Sequence, residues 1–361
     1  MNIGVSIYSN EEFTLENNMK YIRLAKENGV EKVFTSLNML EINYKEKLKK
    51  IKKLIKYIKS FNMQITVDIS PKILNIVGST YDNLSAFYEL GFDYLRLDYG
   101  FLPNEIAIMT KNKFNIGIEL NASTIKKELI EDLIKKGANI RNLRTCHNFY
   151  PKPYTGLSYR FFVEQTKMIK GYGLKVSAFI PSQKGKRGPI YEGLPTIENH
   201  RNLNPEIAAK YFIYSGLVDD IYFGDAYAHE DEIKSVTSID KNVIELKIIT
   251  YDCLSEIEKN IIFNTIHTNR LDASEYVVRS KESRMCFKNT SEIYAHNCIG
   301  REKYSVTIDN NGFKRYSGEL NICMSNMSKD NRVNVVGYIP DDEHILVDLI
   351  KPGTKFRFKK I

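Results

Sequence analysis

Short runs of β-branched and aromatic residues alternate with longer stretches of helical periodicity from the start of the chain to about residue 235. The runs predict strands at 3–8, 32–36, 63–69, 94–98, 115–120, 140–145, 174–180 and 220–223. Between them lie amphipathic stretches such as LENNMKYIRLAKENG, STIKKELIEDLIKKG and NPEIAAKYFIYSG. Gly29 and Gly137 close two of these just before the next strand, a helix C-cap pattern. Eight strands, each followed by a helix, predict an α/β chain folded as a (β/α)8 TIM barrel rather than an open doubly wound sheet. No GxGxxG follows the first strand, which weakens a dinucleotide-binding alternative.

The pattern changes after about residue 240. VIELKIITYD, EYVVRS, KYSVTID, RVNVVGYI and TKFRFKK read as strands, and helical periodicity is found mainly at 253–263 and 341–350. The expected division is a barrel domain at 1–238 and a smaller β-rich α+β domain at 239–361. A chain of 361 residues suits one large domain plus a smaller one.

Composition refines this picture only at a few points. A hydrophobic content of 43% and a charged content of 27% are globular values with ample core material. The formal charge is +8, but the lysines of KEKLKKIKKLIKYIKS accompany Leu48, Ile51, Leu54, Ile55 and Ile58 at helical spacing. They read as a solvated helix face, not a nucleic-acid surface, and a basic balance also suits an anionic small substrate. The five cysteines (146, 253, 286, 298 and 323) are an odd number without a CxxC pair. That argues against a disulfide framework and a zinc knuckle, and fits a reducing compartment. The opening MNIGVSIYSN enters a strand directly, and no apolar run is long enough to span a bilayer. A cytoplasmic protein without membrane or nucleic-acid partners is expected; a homo-oligomer is left open.

A barrel of this kind places its chemistry at the C-terminal ends of its strands. Those ends carry Tyr8, Asp68, Arg96, Asp98, Glu119, Asn121, His147, Asn148 and Asp225. Inward carboxylates are costly to desolvate unless paired or used. One Asp at such a junction is most simply a helix cap or an ion-pair partner of Arg96. Four acidic groups around one rim point instead to a polar cleft that handles protons or sugar hydroxyls. His147 by itself reads more simply as a hydrogen-bonded wall residue. Cys146 and His147 are adjacent on a strand and point to opposite faces, so they do not form a thiol–imidazole pair. The loop after strand 7 carries Lys184 and Arg187 in a basic, flexible-looking stretch, a frequent place for phosphate sites on these barrels. Further along, Arg279 and Arg284 flank two serines in VVRSKESR.

GVSIY, FTSL, LRLDYG, GIELNAST, CHNFYPKPYTGLS, RGPIYEGLPTIENHR and VVRSKESR together resemble the bacterial 6-phospho-N-acetylmuramidases, a family formerly described as outer surface proteins. RYSGELNI and RVNVVGYI extend the resemblance through the second domain. It implies a TIM barrel followed by a cyclophilin-like domain. It also implies hydrolysis of the β-1,4 bond of N-acetylmuramic acid 6-phosphate–N-acetylglucosamine in peptidoglycan recycling. The partner is then a phosphorylated amino-sugar disaccharide, with no metal and no cofactor required. Within that frame Asp98 or Glu119 is the expected general acid, with Asp68 or Asp225 among the carboxylates acting across the sugar. Arg96, Asn121, His147 and Asn148 would bind hydroxyls or the acetamido group, and Tyr8, Phe149 and Tyr150 would wall the sugar faces. Phosphate would sit near Lys184, Arg187, or Arg279 and Arg284. Two other readings stand beside this one. One is a metal-dependent sugar-phosphate isomerase or epimerase built on Asp68, Glu119, His147 and Asp225. The other is a non-catalytic phosphosugar binder.

Overall fold

The computed structural model describes residues 1–8, 13–37, 44–252, 254–285 and 292–361, with backbone alone for 44–48. Leu48, Cys253 and Cys286 of the sequence reading therefore lie outside the described side chains. The chain divides into two compact units, Met1–Ile239 and Asp240–Ile361.

In the first unit eight parallel strands close a barrel in chain order. They are β1 (Asn2–Ser6), β2 (Lys32–Ser36), β3 (Gln64–Ile69), β4 (Tyr94–Leu97), β5 (Gly117–Asn121), β6 (Leu143–Cys146), β7 (Lys175–Ile180) and β8 (Asp220–Ala226). The intervening helices are α1 (Leu15–Glu27), α2 (Tyr44–Ser60), α3 (Pro71–Val77), α4 (Ser85–Leu90), α5 (Pro103–Thr110), α6 (Lys127–Lys135), α7 (Tyr159–Gly171), α8 (Pro205–Ser215) and α9 (Glu230–Thr237). Two helices follow β3 because Gly78 adopts φ +79° and ends the first after seven residues. The strand at 140–145 begins later than its sequence suggests, since residues Ile140–Asn142 form a 3-10 turn. α2 buries Ile51, Leu54, Ile55 and Ile58, while the lysines described between them, Lys52, Lys53 and Lys56, stay exposed. Hydrophobic side chains thus face the strands, and the lysine run is a solvated face.

Inside the barrel, Phe34, Cys146, Phe179 and Tyr222 form a buried cluster with Phe149 packed against it. Below it Lys32 on β2 meets Asp220 on β8, so even the deep layers hold paired charge.

The second unit is a seven-stranded mixed sheet in the order β10-β15-β9-β14-β12-β13-β11. Its strands are β9 (Ile244–Thr250), β10 (His267–Thr268), β11 (Val277–Arg279), β12 (Ser305–Asp309), β13 (Leu320–Cys323), β14 (Val333–Tyr338) and β15 (Lys355–Lys360). β15 runs parallel to β9 and the other pairings are antiparallel. α10 (Glu256–Phe263) starts on a capping box from Ser255 to Glu258. The helix expected at 341–350 shrinks to a 3-10 turn and a single helical turn, α11 (His344–Val347). Leu349 and Ile350 bond three residues back, which tightens the chain out of the α form. Among the described residues no helix is long and apolar enough to cross a membrane.

Candidate active site

Register decides what the strand ends bring together. Asp68 on β3 lies opposite Arg96 on β4, Arg96 opposite Glu119 on β5, and Glu119 opposite Arg144 on β6. Four adjacent strands therefore carry alternating charge across one wall of the barrel. Arg96 is only 4% exposed and is surrounded by acceptors. Its Nη1 lies 2.9 Å from Asp68 and 3.9 Å from Asp98, and its Nη2 donates to the side-chain oxygen of Asn148. A buried guanidinium is stable only with such partners. Burial pushes the Asp68 carboxyl up to about 6; Arg96 opposes the rise, and the charges of Asp98 and Glu119 add to it. Asp98 is more open, with 37% of its side chain exposed. Beside it a small cavity of about 160 Å³ is lined by residues including Tyr99, Phe101, Leu120 and Asn121.

The other two carboxylates are placed differently. Glu119 was expected on the rim; the structure sets it inside the barrel at 1% exposure, with Arg144 Nε 2.7 Å away. Arg144 also donates to Thr66 Oγ1 on β3 and lies 3.3 Å over the Tyr94 ring. A bond from β6 to β3 can only cross the lumen, so this ion pair fills the barrel interior. Asp225 is fully buried and accepts the backbone N–H groups of Ser182, Arg187 and Leu194. Burial pushes its carboxyl up, and those three donors with Arg187 pull it back. Its oxygens organise the loop after β7. Glu232 ties down the start of the same loop through Ser182 and Gln183. The stretch that reads as flexible in sequence is thus anchored at several points.

His147 faces away from the lumen. Its Nδ1 lies 3.2 Å from Ser123 Oγ and its Nε2 3.0 Å from Thr166 Oγ1 on α7, and its ring packs on Phe162. Burial pushes its pKa down to about 3. The folded protein therefore keeps His147 neutral, while the unfolded chain takes up a proton below about 6.5. This contribution to stability is full above that pH and is lost as the pH falls toward 3. His147→Gln is expected to destabilise the fold at pH 7. The deficit should shrink by up to ~1.4 kcal/mol per pH unit below about 6.5, measured by urea unfolding at several pH values. A deficit independent of pH would contradict the neutral, buried imidazole.

Ser123 Oγ in turn accepts the Asn148 N–H, so His147 acts as a brace behind Asn148. Asn121 accepts from Ser123 N, which leaves its amide nitrogen as a donor. Tyr150 is half-buried, with Ser123 and Arg96 as its electrostatic neighbours. Tyr8 is 3% exposed and donates to Gly224 O, and burial raises its hydroxyl to about 12. The Arg187 guanidinium lies 4.0 Å over the Tyr8 ring and 5.5 Å from that of Phe149. Among the described residues no carboxylate lies within ion-pair distance of it. Lys184 is exposed and pairs loosely with Asp231 at 3.4 Å. Arg279 and Arg284 belong to the second unit, where both face the buried carboxylate of Glu319, at 2.9 and 3.5 Å.

Three features escape the strand-end reading. Arg144 lies two residues below the end of β6, Ser123 is the hub behind Asn148, and Glu198 with Arg201 clamps the loop after β6. Glu198 accepts the backbone N–H groups of Tyr154 and Gly156 and is gripped in a fork by Arg201. Arg201 first and these donors next hold its carboxyl down to about 2. Among the described residues no three His, Cys, Asp or Glu side chains converge as a metal set. The four named for the isomerase reading are each engaged separately: Asp68 by Arg96, Glu119 by Arg144, His147 by its two hydroxyls, Asp225 by backbone.

Two family models match the chain. The one described as 6-phospho-N-acetylmuramidase, N-terminal, covers residues 3–238, and the one described as 6-phospho-N-acetylmuramidase, C-terminal, covers 244–359. Among solved structures, an uncharacterized B. cereus protein is 36% identical over 99% of both chains, with a TM-score of 0.89. A conserved protein of unknown function from Enterococcus faecalis is 32% identical over 100% of this chain and 96% of that one, with a TM-score of 0.76. No curated protein matches the sequence.

Proposed function

The chain belongs to the 6-phospho-N-acetylmuramidase family, a glycosidase family, and from that premise we propose that it hydrolyses the β-1,4 bond between N-acetylmuramic acid 6-phosphate and N-acetylglucosamine. The setting is cytoplasmic recycling of cell-wall fragments. The observation that carries this reading is the pair of carboxylates, Asp68 and Asp98, that meets one nitrogen of Arg96 with unequal access to solvent. Glycoside hydrolysis needs one carboxyl that still holds a proton and a second on the other side of the reacting carbon. Asp68 fits the first role, because its burial keeps it protonated up to about pH 6. In this proposal it takes the place of Asp98 and Glu119 as the acid: Glu119 is buried in the barrel facing Arg144, and Asp98 is the more hydrated of the pair.

The shared nitrogen also caps the separation of the two nearest carboxylate oxygens below most of the roughly 6.5–9.5 Å span of inverting glycosidases. That upper bound favours a double-displacement course. Asp68 gives its proton to the glycosidic oxygen and N-acetylglucosamine leaves. The carbonyl oxygen of the neighbouring 2-acetamido group closes on C1, with Asp98 orienting the amide. Water then opens that ring at C1 and returns a proton to Asp68. The phosphate falls to Arg187, a guanidinium held over aromatic rings with no carboxylate within ion-pair distance among the described residues.

The test is release of N-acetylglucosamine from the 6-phosphorylated disaccharide between pH 5 and 8. Protonated Asp68 is the active form, so kcat/KM should fall about tenfold per unit once the pH rises above about 6. No release, or a rate that rises toward pH 8, would contradict the reading.

A further inference from the structure

We propose that the buried Glu119–Arg144 pair is a positioning device: it keeps Arg96 committed to Asp68, Asp98 and Asn148, and so governs when Asp68 carries a proton. The inference rests on the reading of Asp68 as the proton donor, and its test separates the two.

Arg96 has three carboxylates to choose from. Asp68 lies 2.9 Å from its Nη1, Asp98 3.9 Å from the same nitrogen, and Glu119 3.9 Å from its Nε. Glu119 is the most deeply buried of the three, so with Arg144 gone its charge would claim Arg96 most strongly. Arg144 prevents this by standing nearer, at 2.7 Å. Its own position is built from three sides: Thr66 Oγ1 accepts from Nη2, the Tyr94 ring lies under the guanidinium, and Glu119 faces it. Room for the Tyr94 ring comes from Gly117 on β5, where an added Cβ would sit 2.2 Å from the ring.

The anion, by contrast, is held by charge alone. Neither carboxylate oxygen of Glu119 receives a hydrogen bond among the described residues, because the Arg144 Nε–H is not aligned with the oxygen it approaches. Which arginine Glu119 serves is therefore set by distance and field, not by a fixed hydrogen-bond pattern. Other groups facing the pair do not compete. Lys32 on β2 and Asp220 on β8 neutralise each other. Tyr222 on β8 and Cys146 on β6 keep their protons because burial raises both. Around Asp68 the charged or titratable groups among the described residues include Arg96, Asp98, Glu119 and the Tyr8 hydroxyl.

Because the two members of the pair carry opposite charge, their loss has opposite consequences. Glu119→Gln removes a negative charge that resists ionisation of Asp68 and leaves Arg96 entirely to the mouth, so Asp68 should titrate lower by about a unit. Arg144→Met leaves Glu119 with Arg96 as its nearest cation, so Asp68 loses part of its partner and should titrate higher by about a unit. Arg144→Lys keeps the charge and should stay close to wild type. Loosened packing alone would move both variants the same way.

The experiment is a 13C titration of the Asp68 carboxyl in the full chain with labelled aspartate, assigned through Asp68→Asn, beside the pH profile of kcat/KM. Opposite displacements in Glu119→Gln and Arg144→Met, with Arg144→Lys near wild type, are expected. Displacements of the same sign, or none, overturn the proposal. Should Arg144→Met not fold, Glu119→Gln decides: an Asp68 titration unchanged or shifted upward overturns it. Opposite displacements that the rate profile ignores would uphold the pair and remove Asp68 as proton donor.

Discussion

Asp68→Asn is expected to lower kcat on the 6-phosphorylated disaccharide at least about a hundredfold, with KM changed little. An amide holds the geometry of the carboxyl but has no proton to give at neutral pH. The leaving sugar must then depart as an alkoxide, a cost borne in the transition state and absent from the ground state. The effect should therefore fall on kcat. Asp98→Asn is expected to cost a comparable factor for a different reason, since the acetamido group loses the carboxylate that orients it. Leaving-group dependence separates the two. An activated aryl glycoside of the 6-phosphosugar, which leaves without a proton, should largely rescue Asp68→Asn and leave Asp98→Asn impaired. Wild-type turnover of the disaccharide by Asp68→Asn would remove it from the mechanism.

Arg187→Ala should act on specificity instead. Its guanidinium rests over Tyr8 near Phe149, its backbone N–H is fixed by Asp225, and among the described residues no carboxylate lies within ion-pair distance of its charge. A charge-assisted contact to phosphate contributes about 1.5–3 kcal/mol. Its loss should reduce the preference for the phosphorylated over the unphosphorylated disaccharide by about ten- to a hundredfold. Arg187→Lys should recover only part of it, because Lys lacks the planar fork that stacks on the rings. An undiminished preference in Arg187→Ala would move the phosphate elsewhere, with Lys184 in the same loop as the next candidate.

The barrel was legible because two periods alternate in the chain, period 2 in the strands and 3.6 in the helices, eight times over. Boundaries were less so: Ile140–Asn142 carries an apolar start but turns as a 3-10 segment, and 341–350 has helical spacing yet forms one turn. That Asp68, Arg96 and Asp98 converge was readable from their place at strand ends. The roles proposed for them were not. Glu119 and Asp98 look alike in sequence, and only cross-strand register sets one against Arg144 and the other at the mouth. Part of this was available in the pleat of β6. If Asn148 faces in, so do Cys146 and Arg144, and His147 faces the helices, as the structure has it. Asp225 is the opposite case. Three N–H donors from a loop 31 to 43 residues away engage it, and nothing in its neighbourhood announces them.

The most direct test of the central claim is the rate at which the unaltered protein releases N-acetylglucosamine from N-acetylmuramic acid 6-phosphate–N-acetylglucosamine, compared with the same disaccharide lacking the phosphate. Cleavage of the phosphorylated sugar with kcat/KM at least about tenfold higher is predicted from one charge-assisted phosphate contact. Equal rates on both, or no cleavage of either, would contradict it.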